Sequence, residues 1–180
     1  MPKKVLIVTA SLRAGSNSDA LAEAFARGAL EAGHTVEVVS LKDKRIAFCH
    51  GCLACLKTGC CVIRDDAIAL AEKVGQADVV AFATPVYYYG LSGQLKTLLD
   101  RCNSLYGRDY AFRDIYLLAS AAEAEDSTVE GSVKGLQGWI DCFEKANLAG
   151  TIFAGGVNGP GDLRNHPALE QAYEAGKSIS

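Results

Sequence analysis

Cysteine is concentrated in one short stretch of this chain, at Cys49, Cys52, Cys55, Cys60 and Cys61. The run Cys49-x2-Cys52-x2-Cys55-x5-Cys61 brings four thiols close together along the chain. Tightly turned backbone at that spacing can surround one [4Fe-4S] cubane and lend N–H bonds to its sulfurs. Zinc is a second candidate occupant, with His50 as a further ligand, although zinc sites usually separate two ligand pairs by a longer loop. Free or redox-active thiols are the third. Cys60 either replaces Cys61 as fourth ligand or stands by, and Cys102 and Cys142 read as helix residues of the core.

A second chemical site is Ser11-Leu12-Arg13-Ala14-Gly15-Ser16-Asn17-Ser18. Ser11, Ser16 and Ser18 offer hydroxyls, Asn17 an amide and Arg13 a guanidinium, beside backbone N–H groups at the positive end of a helix. That set suits a phosphate. The plainer alternative is that Ser16, Asn17 or Ser18 only caps the helix. The loop is neither a Gly-x4-Gly-Lys-Ser/Thr phosphate loop nor a Gly-x-Gly-x-x-Gly dinucleotide turn; Gly176-Lys177-Ser178 has Gln171 where the first glycine belongs. A third segment, Thr84 to Gly93, sets Tyr87, Tyr88 and Tyr89 between Pro85 and Gly90, with aromatic faces for stacking and hydroxyls for orientation. Ser120 and Ala121 are small enough to let backbone approach a ligand. No His-Glu-x-x-His or Gly-x-Ser-x-Gly pattern occurs, so hydrolysis lacks its parts and redox chemistry remains.

Positioning these loops requires an alternation of strands and helices. Val5–Ala10 is a nearly unbroken apolar run with β-branched residues, the pattern of a strand buried on both faces. Asp19–Leu30 reads as a helix that stops near Gly33. Strands follow at Thr35–Leu41, Asp78–Ala83, Ile115–Ala119 and Thr151–Ala154. Helices are expected at Asp65–Val74, capped by an aspartate, at Ser92–Cys102, from about Thr128 to Lys145, and from Pro167 onward. The fold class is therefore α/β: a five-stranded doubly wound parallel sheet with helices on both faces. Its ligand crevice lies outside the carboxyl ends of the strands, where the strand order reverses, and all three crevice loops fall there.

Composition narrows the alternatives. The chain has 180 residues, 49% hydrophobic and 22% charged, with a net charge of −3 and no run of like charge. Such a chain suits one domain over residues 1–180, and nucleic acid is not an expected partner. No stretch approaches the roughly 20 apolar residues that cross a bilayer, so a cytoplasmic protein with no membrane partner is expected. Cysteine clustering in a reducing compartment points to metal or redox chemistry before a disulfide staple. His34 and His166 read as surface groups, and Asp65-Asp66 as a cap with a first-turn charge.

The loop Ser11–Ser18 resembles the Gly-Ser-Pro-Arg-x-x-Ser-Asn-Thr loop of the NAD(P)H-dependent FMN reductases, a flavodoxin-like family, with Ala10 in place of glycine and Leu12 in place of proline. Thr84 to Arg101 matches the family's second loop and the helix after it. The resemblance implies an oxidoreductase in which FMN takes hydride from NADPH or NADH and passes electrons to flavin, quinone or a similar acceptor. The acceptor that the resemblance implies is a small molecule or a redox protein. It implies phosphate binding by Ser11, Arg13, Ser16, Asn17 and Ser18, and ring contacts from Pro85, Val86, Tyr87 and Tyr88, with Ser120 and Ala121 beside them. It also implies a homodimer or homotetramer that buries the helix from Ser92 to Arg101. Cys49 to Cys61 is similar to the segment of the related iron-sulfur flavoproteins, electron carriers with a [4Fe-4S] cluster. Reductases without a cluster look alike there too, and a non-enzymatic redox-sensing module on the same fold is the remaining alternative.

Overall fold

The computed structural model describes residues 1–180. Five parallel strands carry the sheet: β1 (Lys4–Thr9), β2 (Thr35–Ser40), β3 (Val79–Tyr87), β5 (Asp114–Ser120) and β6 (Asn147–Ala154). A short β4 (Gly90–Leu91) folds back antiparallel on β3. The spatial order is β2-β1-β3-β5-β6, so the chain winds outward from β1 to one edge, returns, and winds to the other. The reversal lies between β1 and β3, the switch point of the flavodoxin-like order.

Why β1 is apolar throughout follows from its place at the centre, paired with both β2 and β3. Successive side chains leave opposite faces of a strand. Val5 and Ile7 accordingly pack with α1 (Asn17–Glu31) and α6 (Pro167–Lys177), while Leu6 and Val8 pack on the face covered by α3 (Ala67–Gln76), α4 (Gly93–Arg101) and α5 (Glu130–Ile140). Helices α1 and α6 touch through glycines. A Cβ on Gly28 would stand 2.0 Å from the Tyr173 carbonyl oxygen, and one on Gly176 would stand 2.1 Å from that of Phe25.

Several boundaries differ from expectation for identifiable reasons. Ser16 is the cap of α1: its Oγ accepts from the Asp19 amide at 3.1 Å. Strand β3 runs on through Thr84 to Tyr87 because it turns into a hairpin with β4. The expected long helix to Lys145 ends at Ile140, and Phe143 then packs against Trp139 and Phe112. This leaves Cys142 exposed rather than in the core. His34 is buried: its Nδ1 accepts from the Lys3 amide at 3.1 Å and its Nε2 lies 2.9 Å from the Ile179 carbonyl. A five-residue helix α2 (Ala54–Thr58) forms inside the cysteine segment.

Candidate functional site

At the carboxyl end of β1 the chain enters α1 with its first amides aimed outward. Ser16 claims the amides of Asp19 and Ala20, whereas those of Asn17 and Ser18 donate to no loop or cap acceptor. Unpaired N–H groups at a helix start carry partial positive charge. Ser16 and Ser18 hold their hydroxyls 3.2 Å apart, and the Ser11 hydroxyl accepts from the Arg13 amide at 3.2 Å. Asn17 is buried, and its Oδ1 has no hydrogen-bond partner. Its Nδ2 donates to the Gly159 carbonyl at 3.1 Å, which fixes which end of the amide points where.

The second wall is the turn from β3 to β4. Thr84, fully buried, accepts from the Ser92 amide at 3.3 Å and lies 3.0 Å from the Ser92 hydroxyl, tying the two ends of the turn together. Gln94 Nε2 donates to the Ala10 carbonyl at 2.7 Å and ties α4 to the end of β1. Tyr88 and Tyr89 have φ of 49° and 61°, both in the left-handed region. Two such residues form the tight turn that matches strand twist, a conformation that costs side-chain-bearing residues on the order of 1–2 kcal/mol each. The Tyr89 hydroxyl donates to Glu123 at 3.1 Å, and this bond raises the phenol above its usual pKa.

These loops meet in one cleft at the switch point. Ser11, Arg13, Ser16, Asn17, Ser18, Pro85, Val86, Tyr87, Ser120 and Ala121 all line it. Tyr88 does not: its ring stands wholly in solvent because the left-handed turn directs it away. Ala122, which continues the expected crevice loop from Ser120 and Ala121, and the unexpected Val157 and Asn158 complete the lining. The last two come from the glycine-rich loop after β6, whose composition says loop and nothing of ligands. Arg13 crosses the cleft to that loop, its Nη1 donating to the Asn158 carbonyl at 2.6 Å. The donor set fits a phosphorylated flavin. Free α1 amides, hydroxyls and a guanidinium suit the phosphate, and the orphaned Asn17 Oδ1 requires a donor such as a ribityl hydroxyl.

The cysteines are arranged differently. Cys55 Sγ accepts from Asn103 Nδ2 at 3.3 Å, Cys61 lies beside the Arg101 guanidinium, and Cys60 lies near Arg108. Cys49 and Cys52 are exposed. No three His, Cys, Asp or Glu side chains converge as a metal-holding group, so the thiols as placed do not form a cluster nest. Burial pushes the Cys102 thiol up to about 12, leaving it without reactive thiolate near neutral pH.

What holds this segment is Arg101, whose side chain is fully buried. It donates to Asp65 Oδ2 at 2.6 Å and Oδ1 at 2.8 Å, to the Ala47 carbonyl at 2.8 Å and to the Ile63 carbonyl at 3.0 Å. Asp65 is thus an ion-pair partner more than a helix charge, although its Oδ1 also accepts from the Ala67 amide. Burial works to raise the Asp65 carboxyl, but Arg101 and the amides of Ala47 and Ala67 together hold it below the usual range. No helix is long and apolar enough to cross a membrane.

Comparison with known proteins bears on the cleft. The chain is 32% identical to YwqN, a candidate NAD(P)H-dependent FMN-containing oxidoreductase of Bacillus subtilis, over 94% of each chain. It is 37% identical over 98 residues to an iron-sulfur flavoprotein of Archaeoglobus fulgidus, covering 54% of this chain and 44% of that one. The chain spans about half the length of the first such flavoproteins it matches. The NAD(P)H:quinone oxidoreductase of Methanothermobacter marburgensis has the same fold, with a TM-score of 0.76 at 24% identity and full coverage of both chains. The family model described as NADPH-dependent FMN reductase matches residues 3–141, a span that contains the cleft loops after β1, β3 and β5, and the chain belongs to that family.

Proposed function

We propose that the switch-point cleft binds FMN, and that the chain is an oxidoreductase carrying hydride from NADPH or NADH to flavin, quinone or a similar acceptor. The observation that carries this reading is the convergence of the loops after β1, β3, β5 and β6 on one cleft containing an unpaired, buried Asn17 Oδ1. When bound, FMN supplies the hydride chemistry, so the protein needs no acid or base of its own. Ser16, Ser18 and the α1 amides hold the phosphate, Arg13 offsets its charge, and Asn17 accepts from the ribityl chain. Pro85, Val86 and Tyr87 present backbone and a ring face to the isoalloxazine, and Ser120 and Ala121 leave room along its other edge. The fold is read as a single FMN-binding domain over residues 1–180.

Titration of the protein with FMN, followed by flavin fluorescence, tests this. The double substitution Asn17→Leu, Ser18→Leu removes a ribityl contact and a charge-assisted phosphate bond and is expected to weaken FMN binding by about 100-fold or more. Unchanged affinity removes the phosphate assignment.

A second reading is favoured by the Cys49-x2-Cys52-x2-Cys55-x5-Cys61 spacing. It is an electron carrier with a [4Fe-4S] cluster on those four cysteines, which would have to leave their present partners. Iron and sulfide analysis of anaerobically purified protein separates the two. The cleft reading expects flavin without stoichiometric iron. The reading extends to a cytoplasmic location and to a homodimer or homotetramer, the association being supported by the apolar side chains Phe48, Leu53, Leu56, Val62 and Tyr106 left exposed around the cysteine segment and the α4 end.

A further inference from the structure

The loop between β6 and α6 closes one side of the cleft, and its conformation depends on one carboxylate. Asp162 Oδ2 accepts from the Asn158 amide at 2.9 Å and from the Gly159 amide at 2.7 Å. The carbonyls of the same two residues face the other way. That of Asn158 accepts from Arg13 Nη1 at 2.6 Å, and that of Gly159 accepts from Asn17 Nδ2 at 3.1 Å. One carboxylate oxygen therefore orders a dipeptide whose two carbonyls order two side chains read above as ligands of the cofactor.

We propose that Asp162 is a positioning residue for the phosphate end of the cofactor, acting through Asn158 on Arg13. Asn17, read above as a ribityl contact, is buried on α1 and is held by its helix as well as by Gly159. The inference rests on the FMN reading of the cleft. Arg13 starts from an exposed loop, where a free side chain would lose rotamer entropy on gripping an anion. Anchored at Asn158, it has met much of that cost beforehand. A guanidinium carries five N–H donors, so four remain for phosphate oxygens. Asn17 keeps its second amide hydrogen. Neither side chain is neutralised by its anchor, because a carbonyl carries no net charge. The two amide bonds hold the Asp162 carboxyl below its usual pKa, so it remains an ionised acceptor throughout the neutral range. Asp162 itself is exposed and is absent from the cleft lining, which separates its role from direct contact.

The test compares FMN with riboflavin, which has the same ring and ribityl chain but no phosphate, by fluorescence titration of the wild type, Asp162→Ala and Asp162→Asn. Asp162→Ala is expected to weaken FMN binding by about tenfold while riboflavin affinity stays within about twofold, since loss of one preorganised ionic contact is worth a tenfold change in affinity. Asp162→Asn, whose side-chain oxygen can accept the same two amide bonds, is expected to stay close to wild type. Equal losses for both flavins in Asp162→Ala, or no loss for either, overturn the role. Equal wild-type affinity for FMN and riboflavin overturns the phosphate reading first, and this role with it. Should Asp162→Ala fail to fold, hydrogen exchange on the wild type decides. Slower exchange of the Asn158 and Gly159 amides with FMN than with riboflavin supports the role, and identical exchange with both overturns it.

Discussion

The switch-point cleft and the cysteine segment both gather chemically active side chains, and the fold treats them in opposite ways. The cleft collects residues separated by more than a hundred positions, from Ser11 to Asn158, because parallel strands all deliver their loops to one edge of the sheet. The cysteine segment keeps its residues close in sequence yet sends them to separate partners: Cys55 to Asn103, Cys60 towards Arg108, Cys61 towards Arg101. Nearness along the chain is therefore no measure of a shared site here. A site that the topology assembles needs only short anchored loops, whereas a cluster nest needs its own local turns.

Breaking the clasp on the cysteine segment should produce the largest effect. Arg101→Ala strands a carboxylate and two carbonyls and is expected to cost about 3–5 kcal/mol. At roughly 2–4 °C of Tm per kcal/mol for a chain of this size, thermal unfolding should shift down by about 6–20 °C. A shift under about 2 °C would mean that the segment is held by something other than this ion pair.

The same contrast is sharpened by acid. Asp65 has a folded-state pKa below its unfolded value, so its contribution is fully present above the ordinary carboxylate pKa of about 3.9 and is lost as pH falls through the depressed folded value. Denaturant unfolding of the wild type and Asp65→Asn should differ by a constant amount from pH 7 down to about 5, and converge below about 4. A gap that stays constant into that acid range would show that Asp65 does not titrate on unfolding.

The smallest effect is expected at the cleft rim. Tyr88→Ala should leave FMN affinity within about twofold, because the side chain lies outside the cleft, while Tyr87→Ala should weaken it by about 3–10-fold through loss of an aromatic contact worth roughly 0.5–1.5 kcal/mol. Flavin titration of both variants checks this. Equal losses would place the two rings on the same wall.

Much of the cleft was legible because each of its loops follows a strand that announces itself. An apolar run of Val5–Ala10 must be central, the helix after it needs a cap, and a small polar loop between them has few other uses. Val157 and Asn158 carried no such signal. Their place in the lining depends on Arg13 reaching Asn158 and on Gly155 passing so near the Ala124 backbone that a Cβ would meet it at 2.9 Å. Tyr88 illustrates the reverse failure: residue type and position suggested a ring contact, and the left-handed backbone decided against it.

Local sequence determined the order and kind of the main elements, since alternation, caps and apolar runs act over a few residues. It also placed the loops after β1, β3 and β5 on the crevice side, because a parallel sheet leaves them no other. Tertiary packing alone decided that Asp65 pairs with Arg101, that His34 braces Lys3 and Ile179, that the cysteines part company, and that Asp162 orders the cleft from the far side of the chain. Those are contacts between residues distant in sequence, and their energies depend on burial and geometry that no short window of sequence contains.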